Sequence, residues 1–284
     1  MRNFVKTVKK KLVNNGKLAD RGSPAVPSAG GLRDDISAGN ETTGWISPNY
    51  RISRAVQLVP DKILSNRCVG FFTNSPEVEN YRLLRTQIQQ RVRENGGNTL
   101  MVTSSVPNEG KTLTSINLAF TFAREFQQTV LLVDCDLRKQ SIHEYLGYES
   151  RKGLIDYLRD NASVSELITW PGVEKLTIIS GGRTTIGSSE LLGSPRMKEL
   201  VADMKTRYPD RFIIFDVPPI LSAADALAFA PLVDYILMVV RSGFTPIQEI
   251  SKSLRLMPQE KIIGLVLNRQ KSTAEYYNSY YKKK

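Results

Sequence analysis

The segment Ser105-Val106-Pro107-Asn108-Glu109-Gly110-Lys111-Thr112 limits what this chain can fold into more than any other. It lies between an apolar run, Thr99 to Thr103, and a helical-looking run, Leu113 to Phe126. Strand, loop and helix in that order let backbone N–H groups wrap an anion while the helix points its N-terminus at the charge. A nucleoside triphosphate, ATP or GTP, is the expected ligand, contacted by Asn108, Glu109, Gly110, Lys111, Thr112 and Leu113. Lys111 is expected at the β- and γ-phosphates and the Thr112 hydroxyl at Mg²⁺. The full pattern has glycine where this chain has Ser105. A lone Gly-Lys-Thr also reads as an ordinary turn with an exposed lysine.

Two further apolar runs end in carboxylates. Thr129 to Val133 leads into Asp134-Cys135-Asp136-Leu137-Arg138, and Phe212 to Phe215 into Asp216-Val217-Pro218-Pro219. In open α/β sheets ligands bind beyond the carboxyl ends of the strands. Mg²⁺ keeps several waters and takes few direct carboxylates, and a second carboxylate can orient or deprotonate an attacking hydroxyl. Singly, an Asp after a strand is as readily a turn or cap residue; three such motifs on one sheet edge point to a nucleotide site. Strands are expected near Leu100–Ser104, Val130–Val133, Leu176–Ile179, Phe212–Phe215, Tyr235–Val240 and Ile262–Leu267, alternating with helical stretches. The fold class is therefore α/β, P-loop NTPase-like, with a mostly parallel sheet flanked by helices on both faces.

Three divisions follow from the pattern: a basic segment with a flexible linker over 1–44, a P-loop domain with a helical extension over 45–270, and a tyrosine-rich tail over 271–284. With 284 residues and 41% hydrophobic content, the chain can bury one sizeable core plus extensions. No apolar run has the length of a membrane-spanning helix, and no secretory signal is expected. Cys68 and Cys135 are too few for a disulfide framework, and Cys135 reads as a small buried filler. His143 is the only histidine, so a His-based metal site is excluded, and a surface or capping role fits it. Net charge is +11. Met1 to Gly22 interleaves lysines with Phe4, Val5, Val8, Leu12 and Val13, which fits a basic amphipathic helix on an anionic membrane surface or a solvated tail. No nucleic-acid partner is expected, because no RNA-binding aromatic platform or DNA-reading helix is visible.

Trp45 to Phe72 holds short apolar runs expected to pack along the domain surface. Ser75-Pro76 then reads as a cap with proline at the first helical position. The helix runs to about Glu94, with Val78, Tyr81, Leu84, Ile88 and Val92 as its buried stripe. Beside that stripe stand Glu79, Arg82 and Arg85, each three residues from the next, which on pattern alone is a modest intrahelical ion pair. The chain closes on Tyr276, Tyr277, Tyr280 and Tyr281 in a short polar stretch. Disordered solvated tails do not normally accumulate aromatics; a phosphoacceptor tail or an aromatic anchor on a surface groove accounts for them.

The phosphate loop, the Asp-x-Asp-x-Arg segment and the Asp-x-Pro-Pro segment together resemble the bacterial tyrosine kinases (BY-kinases) of capsule and exopolysaccharide export. Lys152-Gly153-Leu154-Ile155-Asp156-Tyr157-Leu158, Ser189-Glu190-Leu191-Leu192-Gly193-Ser194, Val239 to Thr245 and Gly264 to Arg269 agree, and the likeness covers roughly Glu77 to the C-terminus. It implies an ATP-dependent tyrosine autokinase whose catalytic residues are Lys111, Asp134, Asp136 and Asp216. Thr112, Asp136 and Asp216 complete the Mg²⁺ site, Asp134 activates the tyrosine hydroxyl, and Asn268 contacts adenine. Glu79, Arg82 and Arg85 become a subunit contact that builds a homo-oligomeric ring, and the four tail tyrosines become phosphoacceptors in a neighbouring subunit. The resemblance further implies regulation of polysaccharide polymerisation and export, a membrane-embedded chain-length adaptor on a separate chain, and a cytoplasmic location at the inner face of the membrane. Two departures are Ser105 in the loop and Arg183 to Ser188 in place of a Pro-Asn-Pro-like turn. The rival readings are a nucleotide-dependent dimer switch, whose relatives carry a lysine where this chain has Val106, and a non-catalytic ATP-binding scaffold of an export complex.

Overall fold

The computed structural model describes residues 53–72, 75–125, 128–208 and 210–270. Its eight strands are β1 (Arg54–Ala55), β2 (Thr99–Ser104), β3 (Thr129–Asp134), β4 (Ile168–Trp170), β5 (Leu176–Ile179), β6 (Arg211–Asp216), β7 (Tyr235–Arg241) and β8 (Ile262–Asn268), in the sheet order β1-β4-β5-β3-β6-β2-β7-β8. Every ladder is parallel except that between β4 and β5. The six strands expected from the sequence are present. The short β1 and β4 were not expected; two or three residues carry too little periodicity to register as strands.

Register sets the site. The strand behind the phosphate loop, β2, lies between β6 and β7, and β3 lies on the other side of β6. Asp134 and Asp216 stand directly opposite each other at the ends of β3 and β6. Uninterrupted apolar strands need cover on both faces, and both faces are covered. On one, Met101, Val133, Phe215 and Met238 pack against α5 (Leu154–Asp160), α6 (Val164–Leu167), α7 (Ser188–Leu192), α8 (Pro195–Arg207) and α9 (Asp225–Phe229). On the other, Leu100, Leu132, Phe212 and Val239 pack against α1 (Pro60–Ser65), α2 (Pro76–Asn95), α3 (Lys111–Phe122) and α4 (Ile142–Leu146). Ring contacts tie helix to sheet on each side: Phe122 stacks on Phe212 at 4.5 Å, and Phe229 meets Phe215 edge-on at 4.9 Å.

The stripe expected on α2 faces the sheet, with Val78 and Ile88 buried and Tyr81, Leu84 and Val92 packed against the core. Residues 53–72 do more than lie along the surface. Ile63 and Cys68 are wholly buried, and Gly70 rests on α3 so closely that a Cβ there would meet the Asn117 carbonyl oxygen at 2.7 Å. Among the described residues no helix is long and apolar enough to cross a membrane. The basic N-terminal segment and the tyrosine tail lie outside the described residues.

Candidate active site

The phosphate loop turns into α3 earlier than its sequence suggests. Gly110 caps the helix at φ +99°, so Lys111 and Thr112 occupy its first turn instead of the loop before it. Such a φ is open to glycine at little cost, and the space is closed as well: a Cβ at Gly110 would lie 2.0 Å from Asn268 Nδ2. Asn108 also takes a left-handed φ of 66°. The wholly buried Glu109 braces the turn, its carboxylate accepting from Val106 N at 2.7 Å, from Arg241 N at 3.2 Å and from the Thr245 hydroxyl.

Lys111 and the carboxylates meet at the carboxyl ends of β3 and β6. Lys111 Nζ lies 2.9 Å from Asp136 Oδ2 and 3.3 Å from Asp216 Oδ2. Thr112 Oγ1 donates to Asp216 Oδ2 at 2.6 Å, and Ser115 Oγ to Asp216 Oδ1 at 3.2 Å. Asp134 is held differently: Oδ1 accepts from Asp136 N at 3.1 Å, and Oδ2 from Ser141 N and Ile142 N, both at 3.1 Å. It thereby fixes the loop that carries Asp136, whose own Oδ1 accepts from Lys139 N at 3.0 Å.

Three carboxylates around one ammonium leave an excess of buried negative charge. Burial, and the Asp216 carboxylate beside it, push the Asp134 carboxyl up to about 7. Burial also raises the Asp216 carboxyl, with Lys111 opposing. For Lys111, burial alone would lower the ammonium, but Asp216 and Asp136 outweigh it and hold the lysine charged. Among the described residues no cluster of three or more His, Cys, Asp or Glu side chains forms a ready metal cage. The donor set still suits Mg²⁺, which binds through one or two carboxylates plus substrate phosphates and water. Thr112 Oγ1, Asp136 and Asp216 are hard oxygen donors, and the Lys111 ammonium already stands between the two carboxylates.

The other expected site residues fall in three places. Asn268, at the end of β8, donates to the Glu109 carbonyl at 2.8 Å and accepts from Arg269 N at 2.8 Å, tying the last strand to the phosphate loop. Within this chain Glu79 pairs with Arg82, while Arg85 pairs with Glu125 at 2.7 Å and donates to the Thr121 carbonyl at 2.8 Å. Tyr276, Tyr277, Tyr280 and Tyr281 lie outside the described residues. Sequence reasoning missed Ser115, Ser141 and Glu109's bracing role, and it missed Ser188 and Asp225, which reach the Asp136 loop through Arg138. Ser115 could have been found as the residue one helical turn after Lys111; Ser188 and Asp225 carry no local signal.

A family described as an AAA domain matches residues 107–261. The tyrosine-protein kinase YwqD of Bacillus subtilis (strain 168) is 32% identical over 205 residues, covering 72% of this chain and 85% of YwqD. The tyrosine-protein kinase etk of Escherichia coli (strain K12) is 33% identical over 205 residues, covering 70% of this chain but only 28% of etk. The solved kinase domain of Escherichia coli ETK superposes with a TM-score of 0.62 at 31% identity, covering 70% of this chain and 79% of that one. The chain belongs to the bacterial tyrosine-protein kinases, enzymes built on a P-loop ATPase core.

Proposed function

We propose that this chain transfers the γ-phosphoryl group of ATP to Tyr276, Tyr277, Tyr280 and Tyr281 on a neighbouring copy of itself. The observation that carries the reading is the buried Lys111 shared by Asp136 and Asp216 at the N-terminus of α3, in a chain with four tyrosines crowded at its end. Loop amides and the helix N-terminus receive the phosphates, and Lys111 turns from the carboxylates to the β- and γ-phosphate oxygens. Thr112, Asp136 and Asp216 would hold Mg²⁺, which when bound supplies charge neutralisation between the β- and γ-phosphates. Asn268 would lie beside the adenine. Asp134, with a carboxyl near the operating pH, takes the proton of the attacking tyrosine hydroxyl at Oδ1, the oxygen that accepts a single backbone N–H. Asp134 is wholly buried, so in this reading nucleotide binding must also open the way to the base.

Glu79, Arg82 and Arg85 would exchange their partners within the chain for those of a neighbour in a ring, bringing one copy's tail to the next copy's site. Phosphates add close to two negative charges each, so modified tails repel and loosen the ring. That cycle would regulate exopolysaccharide or capsule polymerisation and export, at the inner face of the membrane, with a membrane-embedded adaptor on a separate chain and the basic N-terminus on anionic lipid. The test is incubation of the full chain with ATP and Mg²⁺, followed by mass mapping of phosphate. The expected result is phosphotyrosine at the four tail positions. ATP hydrolysis with no phosphotyrosine would replace the kinase by a nucleotide switch.

A further inference from the structure

Asp225 opens α9 and is wholly buried, yet its Oδ1 has no hydrogen-bond partner among the described residues. Its Oδ2 accepts from Ser188 Oγ at 2.6 Å and lies 3.4 Å from Arg138 Nε. Arg138 Nε also donates to Ser188 Oγ at 2.8 Å. The guanidinium is thus gripped by Nε alone, its side chain is 51% exposed, and neither Nη hydrogen-bonds to a described residue. A purely structural arginine–carboxylate pair favours two parallel bonds. Here the two-pronged edge faces outward, and a buried carboxylate is left under-satisfied to hold it so.

Arg138 follows Asp136 by two residues, in the loop that Lys139 N fastens to the Asp136 carboxylate. Its anchors, α7 and α9, pack on the sheet face opposite the helix that receives the nucleotide. In-line transfer brings the acceptor in opposite the leaving group, and in this proposal that approach runs past Arg138, on the sheet face away from the phosphate-binding helix. The exposed Glu190 carboxyl lies near enough to feel Arg138, and a dianionic phosphate competes well against one solvated carboxylate. We infer that Arg138, positioned by Ser188 and Asp225, recognises an anionic group beside the reacting tyrosine, chiefly the phosphate of an already modified neighbouring tyrosine. The tail supplies such neighbours, since Tyr276 adjoins Tyr277 and Tyr280 adjoins Tyr281, and it also supplies one carboxylate, Glu275. The second phosphate of each pair then enters more readily than the first. This rests on the reading of the tail as acceptor.

The test measures binding of fluorescent peptides spanning residues 272–284 to the full chain with ADP and Mg²⁺. The peptides are unmodified, phosphorylated on Tyr276, and unmodified with Glu275→Gln. The phosphopeptide should bind about tenfold more tightly than the unmodified one, as an added bidentate arginine contact supports. Arg138→Lys keeps a cation for Asp225 but loses the fork, and should reduce that preference to about twofold or less, as should Arg138→Ala. Asp225→Asn should weaken it with Arg138 intact. With the phosphopeptide as substrate, Arg138→Lys should raise KM more than it lowers kcat. A loss of affinity confined to the Glu275→Gln peptide, and absent in Arg138→Lys, would assign the site to the carboxylate instead of the phosphate. Equal binding of all three peptides, or a phosphate preference undiminished in both Arg138 variants, overturns the inference. Arg138-dependent phosphopeptide binding in a chain that labels no tyrosine would refute the kinase reading and leave the recognition site standing.

Discussion

Two carboxylate clusters lie at opposite edges of the same sheet, one before the starts of β2 and β7 and one at the ends of β3 and β6, and they are built on opposite principles. At the start of β7, Asp234 is fully served. Its Oδ2 accepts from Asn98 N at 3.0 Å, Thr99 N at 3.1 Å and Thr99 Oγ1 at 2.7 Å, and its Oδ1 from Lys205 Nζ at 2.6 Å. That cluster joins β2, β7 and α8 with one carboxylate, one ammonium and every bond made. At the other end three buried carboxylates crowd one ammonium, Lys111, which pairs with only Asp136 and Asp216, and the Asp134 carboxyl is driven up towards neutrality. Charge balanced by hydrogen bonds holds the fold; negative charge in excess is open to an incoming cation, as the proposed function requires. The proposed chemistry sits at the end where the sheet is electrostatically incomplete, the end where open α/β folds bind their ligands.

The contrast breaks hardest at Lys111. Lys111→Met should lower phosphotyrosine formation by about a thousandfold, the scale set by losing a charge clamp on the transferred group. Wild-type labelling in that variant, read by phosphotyrosine blot, would move the site elsewhere. Gly110→Ala comes next. Its Cβ meets both a left-handed φ and Asn268 Nδ2, so transfer should fall about a hundredfold, with strain of a few kcal/mol at the loop. Adding Asn268→Ala should relieve the clash but not the φ, giving partial recovery at most.

At the other end, Asp234→Asn should reduce stability by about 2 kcal/mol in chemical denaturation, as removing a multiply bonded charge does, while activity per folded molecule is kept. Burial alone would raise the Asp234 carboxyl, but Lys205, Thr99 and the Asn98 N–H together hold it below the usual range. Its contribution is therefore complete above about pH 4, the unfolded value, and is lost as pH falls through the lower native value. The stability difference between wild type and Asp234→Asn should shrink on acidification; a constant difference would show that the carboxylate is not the source. The smallest effect concerns assembly. Glu79→Ala with Arg82→Ala and Arg85→Ala should leave the fold intact at a modest cost in stability, since Glu79 and Arg82 form a partly exposed pair worth about 0.5 kcal/mol and Arg85 gives up its pair with Glu125 and its bond to the Thr121 carbonyl, yet reduce the assembly mass in light scattering. Equal masses would make the ridge an ordinary helix face.

The end proposed to carry the chemistry was the legible one. Asp134 and Asp216 close their strands, Asp136 comes two residues after one, and Gly110, Lys111 and Thr112 come one short loop after another, and a buried strand with polar residues at its carboxyl end is a local pattern. The balanced end was not legible: nothing about Asp234 in sequence says that Asn98, Thr99 and Lys205 meet it, because those partners lie 29 to 136 residues away. Asp225 and Ser188 were hidden for the same reason. Residues 53–72 were misjudged because their apolar runs are too short to show a period, and burial there depends on the shape of α3, which only folding reveals.

The most direct test of the central claim mixes two chains. One carries Lys111→Met and keeps its tail; the other is active and lacks residues after Ser272. With ATP and Mg²⁺, the account predicts phosphate on the tail tyrosines of the Lys111→Met chain, at a rate that rises with the concentration of the active chain. No label on that tail, together with concentration-independent self-labelling of an active full-length monomer, would contradict it.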